Sequence, residues 1–135
     1  MKRKINQIMI LGLAILVFSF APVLQKKPWD VPESAIKVKN PLKGDSESIG
    51  TGKALYAKHC KSCHGKNGEG DGTKAAELKT SPGDFTANEF ESQPDGELFY
   101  KTSEGRDDMP GFKKKIPDSE DIWAVVNFMR TLKAK

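Results

Sequence analysis

The sequence predicts an all-α fold of about four helices, and two observations carry that prediction. Near the C-terminus the apolar residues Ile122, Val125, Val126, Met129 and Leu132 recur at the spacing of one helix face. Elsewhere no apolar and polar alternation of period two runs long enough to make a strand. With 135 residues in all, the chain is one small domain with appendages, too short for a multidomain enzyme.

The first appendage is a targeting segment over residues 1–24. Lys2-Arg3-Lys4 precede an uncharged apolar run from Ile8 to Leu24, followed by Gln25-Lys26-Lys27. A basic start and an apolar middle are the pattern of an export signal, and Ser19-Phe20-Ala21 offers small residues where a signal peptidase reads. Pro22 is unfavourable after such a cut, and the run is close to the shortest length that spans a bilayer, ~17 residues. A cleaved signal peptide and an uncleaved membrane anchor through residues 8–24 therefore both stand. Either delivers the chain beyond Leu24 to the periplasmic side.

Residues 25–49 carry Pro28, Pro32 and Pro41 among scattered charges and keep no apolar period, which reads as a linker. The competing reading is an ordered arm, with Trp29 and Val31 packed back on the domain. The domain itself is expected at residues 50–135. Its first helix runs from about Thr51 to Cys60, with Ala54, Leu55 and Ala57 as good formers. A second, shorter one is expected from about Thr73 to Lys79. A third follows Pro94, capped by Asp95, and stops at Gly105. The last begins after Pro117 with Asp118 as cap and continues for ~14 residues as an amphipathic helix.

Charge narrows the function. Lys and Arg number 22 against 18 Asp and Glu, but three of the cations are Lys2, Arg3 and Lys4, and from Gly50 onward the signs balance at 14 each. No basic face remains of the kind nucleic acid requires, so nucleic-acid binding is excluded. So small a domain also buries a modest core unless something fills it.

Cys60-Lys61-Ser62-Cys63-His64 supplies the filler. C-x-x-C-H is the attachment pattern for c-type haem. Two thiols separated by two residues at a helix end can reach one edge of a porphyrin, and the adjacent imidazole is then held under the iron as the proximal ligand. A disulfide between Cys60 and Cys63 leaves His64 unexplained, a thioredoxin-like pair wants a βαβ setting, and zinc wants four ligands. His59 reads as a solvated helix residue. For the sixth position two downstream methionines compete. Met129 lies on the apolar stripe of the last helix, an ordinary core position. Met109 lies in the loop Gly105 to Phe112, where Pro110 with its fixed φ holds it in place. Met109 is the expected axial ligand, and His/Met ligation closes both faces of the iron and raises its potential.

On these residues the stretch from about Gly50 to Leu132 resembles the class I monohaem cytochromes c. The resemblance implies a cytochrome c-like haem domain in which the N- and C-terminal helices cross, Gly52 and Tyr56 meeting the last helix near Val125 and Phe128. It implies one covalently bound haem c on Cys60 and Cys63, with His64 and Met109 as axial iron ligands. Gly65 to Gly72 looks like the glycine-rich loop that comes after the motif in many bacterial members. Pro82 looks like the proline whose carbonyl accepts the other imidazole N–H, although the loop from His64 to Pro82 is longer than in the shortest members.

The function implied is one-electron transfer outside the cytoplasm, in a respiratory chain, by a protein that is a carrier and not an enzyme. Its donor would be a quinol-oxidising complex or dehydrogenase and its acceptor a terminal oxidase or reductase. The alternatives are a haem subunit permanently docked in a larger oxidoreductase and a ligand-binding haem protein with a displaceable sixth ligand. Phe85, Phe90, Leu98, Phe99, Tyr100 and Phe112 either line the haem or the helix contacts or are plain core packing, which their spacing fits equally well. Arg106 is either a partner for a haem propionate or a surface residue. Lys113-Lys114-Lys115 either steers a partner or is a solvated run.

Overall fold

Asp45 opens the longest helix among the described residues. Its carboxylate accepts the Glu47 N–H at 2.9 Å, and Ser48 Oγ donates to the Asp45 carbonyl, so the first turn is closed before any apolar residue appears. The structure, a computed structural model, describes residues 28–133. The expected signal or anchor at residues 1–24 lies outside the described residues. In chain order the helices are α1 (Glu33–Ile36), α2 (Ser46–His59), α3 (Lys61–His64), α4 (Asn88–Glu91), α5 (Asp95–Glu104) and α6 (Ser119–Met129), with a 3-10 turn at Ala75–Glu77. No strand occurs among the described residues, and none of their helices is long and apolar enough to cross a membrane. The protein is all-α, as predicted.

Helices α2 and α6 cross at the centre of the core. Gly52 makes this possible, because a Cβ at that position would fall on the Ala124 carbonyl. One turn on, the Tyr56 ring packs against Phe128 with centroids 5.1 Å apart, and its hydroxyl donates to the Gly65 carbonyl at 2.8 Å. The expected crossing is present, and the Tyr56 hydroxyl fastens it to the turn just after the C-x-x-C-H motif.

Helix α6 is capped by Asp118, whose carboxylate accepts the Glu120 N–H at 2.9 Å. It differs from the expected amphipathic helix in two ways. It ends at Met129, so it is 11 residues long, and every residue from Ile122 to Met129 is buried. The face that periodicity leaves for solvent is covered by Gly52 and Tyr56 of α2, by Phe99 of α5 and, at Asn127, by the segment before α2. Asn127 shows how: it donates to the Leu42 carbonyl at 2.6 Å and to Ser48 Oγ at 2.7 Å, and accepts from Asn40 at 2.7 Å.

That segment, residues 28–45, lies on the domain as an arm. Gly96 receives it, since a side chain there would meet the carbonyls of Ala35, Ile36 and Val38, and Asn40 also donates to Asp95 at 3.2 Å. The division expected before Gly50 falls inside α2. Asp95 does not cap α5 as expected. Pro94 takes the cap position, and the Asp95 carboxylate pairs with Arg130 at 2.8 Å. Arg130 also donates to the carbonyls of Phe90, Glu91 and Gln93, fixing the corner between α4 and α5 to the end of α6. The helix expected at Thr73 to Lys79 shrinks to the single 3-10 turn, because Gly72 and Lys74 spend their N–H groups on the turn of α3 instead.

Candidate cofactor site

Where α2 ends, Cys60 takes the C-cap and its N–H still bonds the Tyr56 carbonyl at 2.9 Å. The chain then turns once more as α3. The N–H groups of Cys63 and His64 both bond the Cys60 carbonyl, at 3.1 and 2.9 Å. Cys60, Cys63 and His64 are thus at i, i+3 and i+4, the spacing that presents three side chains on one face of a turn. Gly65, with φ of 81°, stops the turn.

The glycine-rich loop then returns over this turn. Gly70 N–H bonds the His64 carbonyl at 2.9 Å, Gly72 N–H the Cys63 carbonyl at 3.2 Å, and Lys74 N–H the Ser62 carbonyl at 2.8 Å. Carbonyls left open at the end of a short helix are satisfied by this loop, which fixes the motif's backbone. Gly72 lies so close that a side chain would meet the carbonyls of Ser62 and Cys63.

Another wall comes from the Met109 loop. Arg106 and Met109 exchange backbone hydrogen bonds at 2.8 and 2.9 Å, forming a tight hairpin with Asp107 at its bend at φ of 51°. Aspartate is one of the few residues that tolerate this left-handed region. The Asp108 carboxylate accepts the Lys79 N–H at 2.7 Å, tying this hairpin to the segment that leads to Pro82.

Between these walls is a cavity of about 450 Å³ lined by Cys60, Cys63, His64, Pro82 and Met109 together. The five residues named from the sequence are brought to one space from separate loops and helix ends. Their surroundings fit a covalently attached porphyrin on three counts. The volume is within the ~300–1,000 Å³ of cofactor pockets. Both thiols are free and half-buried, so no disulfide competes for them. His64 is buried, and burial lowers its pKa to about 4, so the imidazole is neutral and one of its two ring nitrogens keeps a lone pair to give a metal. Burial, and then the neighbouring Cys63, push the Cys60 thiol up to about 12, so it is not a thiolate at neutral pH.

Several expectations need correction. The bond expected from His64 to the Pro82 carbonyl is not formed in this structure: His64 Nδ1 has no partner, and the imidazole lies flat on Phe85, centroids 4.6 Å apart. His59 is half-buried, not solvated: its ring meets Phe112 edge-on at 5.8 Å, and it lines the cavity. Met129 is in the core as expected and also reaches the cavity wall. Lys113 pairs with Glu104 at 2.5 Å and Lys115 lies over the Phe112 ring, so two of the three lysines are engaged locally.

Two cavity residues, Pro28 and Trp29, have no signal in the domain's own sequence. Trp29 comes from the arm and lines the cavity, with the Arg106 guanidinium 4.5 Å from its ring centroid. Arg106 is accordingly half-buried, and it also donates to the Pro28 carbonyl at 3.1 Å. The one hint of this in the sequence is that an aromatic residue in the arm can pack back on the domain.

The family model for cytochrome c oxidase, cbb3-type, subunit III matches residues 47–129, more than half of the chain, from the start of α2 to the end of α6. Among solved structures the chain is similar to the Kuenenia stuttgartiensis reducing HAO-like protein complex Kustc0457/Kustc0458, with a TM-score of 0.64 and 24% identity. That likeness covers 82% of this chain and 53% of the other, so this chain spans about half of its length, and it bears on the fold. The chain is also similar to the KustC0563 c-type cytochrome, with a TM-score of 0.54 and 29% identity over 62% of this chain and 98% of that one. No curated protein matches the chain in sequence.

Proposed function

Since the chain belongs to the family of cytochrome c oxidase, cbb3-type, subunit III, and is therefore a c-type haem electron-transfer protein with covalently bound haem c, we propose that it is a one-electron carrier in a respiratory chain outside the cytoplasm. Its donor would be a quinol-oxidising complex or dehydrogenase and its acceptor a terminal oxidase or reductase. Residues 1–24 would export it, and, left uncut, residues 8–24 would tether it near both partners and raise their effective concentration.

The observation that carries the reading is the convergence of two free thiols, a buried imidazole with an unpartnered nitrogen and a loop thioether on one cavity. Haem c supplies a one-electron iron couple when bound. In this reading Cys60 and Cys63 would hold it covalently, and His64 and Met109 would be the ligands of its iron. Phe85 and Phe90, stacked 4.7 Å apart behind the imidazole, keep water from that side and hold the ring. A carrier asks nothing further of the chain: no nucleophile or general base has to touch a substrate, and the protein's task is ligation, exclusion of water and docking.

Protein matured in a host that attaches c-type haem tests this through intact mass and carbon monoxide. The expected result is a mass increased by one haem and little spectral change when carbon monoxide meets the reduced protein. Colourless protein with two free thiols would overturn the reading.

The family's own name, that of an oxidase subunit, favours a second reading, a haem subunit permanently docked in a larger oxidoreductase. The similarity to a chain of the HAO-like protein complex points the same way. Purification from the native membrane separates the two, since a carrier leaves as a monomer and a subunit leaves with its complex.

A further inference from the structure

The arm has no counterpart in the matched family region, which begins at residue 47, yet its first described residues stand at the cavity. Its course is fixed independently of them. The carbonyls of Ala35, Ile36 and Val38 close on Gly96, and Asn40 is bonded to both Asp95 and Asn127, so the end that carries Pro28 and Trp29 is delivered to one place.

At that place it meets Arg106 twice. The Pro28 carbonyl accepts from Nη1 at 3.1 Å, and the guanidinium lies over the Trp29 ring at 4.5 Å from its centroid. Lys101, held by Glu97 and Gln93, puts a second cation 5.6 Å from the same centroid. Arg106 is also the first residue of the hairpin whose last residue is Met109, and the two are joined by both of their backbone hydrogen bonds. The hairpin is therefore gripped on two flanks: at Asp108 by the Lys79 N–H, and at Arg106 by the arm. Its bend at Asp107 has a positive φ, a conformation that persists where the surroundings impose it.

We propose that Trp29 is a positioning residue for Met109: stacked on Arg106, it holds the Arg106–Met109 hairpin against the cavity and so keeps the thioether on the iron. The inference rests on the reading of Met109 as the axial ligand. Loss of the indole releases one flank of the hairpin, and Met109 leaves the iron more often.

The test uses the full-length holoprotein and imidazole as the competing ligand for the oxidised iron. Trp29→Ala is expected to bind imidazole about tenfold more tightly than the parent, the equivalent of one cation–π contact of ~1.4 kcal/mol, and to show a lower reduction potential. Trp29→Tyr, which keeps an aromatic face for Arg106, is expected to stay close to the parent. Arg106→Gln removes the same contact together with the Arg106 bonds to the Pro28 carbonyl and the Asp107 carboxylate, so it should raise imidazole affinity at least as far as Trp29→Ala, which keeps the test decisive if that variant matures poorly. Met109→Ala is the reference for an open iron. If Met109→Ala binds imidazole far more tightly while Trp29→Ala and Arg106→Gln match the parent, the positioning role is overturned and the ligand assignment stands, even if Trp29→Ala melts at a lower temperature. If Met109→Ala itself matches the parent, the ligand assignment falls and this inference falls with it.

Discussion

The carbonyl oxygen of Ala124 stands where the side chain of residue 52 would be, and only because that residue is glycine do α2 and α6 meet backbone to backbone. The contact fixes the distance between the helix that ends at Cys60 and the helix that carries Met129, the two elements that frame the cavity from within.

Gly52→Ala should therefore separate the two helices. Overpacking of a tight core costs ~1–3 kcal/mol, and in a domain of about 100 residues each kcal/mol lowers the melting temperature by roughly 4–8 °C. Thermal unfolding of the holoprotein followed by circular dichroism checks this. An unchanged melting temperature would mean that the crossing has slack the packing does not show.

A second prediction concerns Asn127, a buried amide whose three hydrogen bonds join α6 to Asn40, Leu42 and Ser48. Asn127→Leu keeps the volume but leaves the Leu42 carbonyl and Ser48 Oγ without their donor. Each buried group left unpaired costs ~1–3 kcal/mol. The loss should appear as a lower denaturant midpoint and as faster proteolysis within residues 28–45, because the arm loses its tie to α6. Lower stability with no change in the arm's cleavage would place the effect in the core alone.

Asn127 also marks where the sequence stops being legible. The elements that repeat or punctuate are readable: the apolar spacing from Ile122 to Met129, the Asp118 cap, the Gly105 stop and the Cys60 to His64 pentapeptide each carry a local rule that the chain obeys. What is not readable is long-range. Asn127 looks solvent-facing by period, yet it is covered by an arm whose sequence has no period of its own. The first turn of α2 escapes a reading by apolar spacing because Ser46-Glu47-Ser48 holds a capped helix with no apolar stripe. At the site, motif and loop chemistry are enough to name Cys60, Cys63, His64 and Met109, while Pro82 comes only from the family resemblance. The place of Trp29 depends on a fold-back that no local pattern encodes, and the orientation of His64 on Phe85 depends on a neighbour twenty-one residues away.

A third prediction concerns the Asp108 bond to the Lys79 N–H, which joins the methionine hairpin to the segment before Pro82. Asp108→Ala removes the acceptor and leaves the other flank of the hairpin intact. A hydrogen bond to a charged group contributes ~1.5–3 kcal/mol where it is buried, and this one is exposed, so the smaller end applies. The expected result is a modest rise in imidazole affinity, with little change in the melting temperature. Asp108→Asn keeps an acceptor oxygen and should restore most of the parent behaviour.

The last prediction separates the two methionines, since both Met109 and Met129 reach the cavity. Met129 is buried in the core between α2 and α6, so Met129→Leu conserves volume and should cost less than ~1.5 kcal/mol. It should leave the reduction potential and the resistance to carbon monoxide unchanged. Met109 is half-buried on the hairpin and contributes little to the core, so Met109→Ala should leave folding nearly intact. Its effect should fall on the iron, lowering the potential by about a tenth or more of the ~0.8 V that axial ligands span and opening the reduced protein to carbon monoxide. Potentiometry and carbon monoxide titration on both variants decide it. The opposite pattern, with Met129→Leu open and Met109→Ala closed, would assign the thioether to α6 and leave the hairpin as a wall of the pocket.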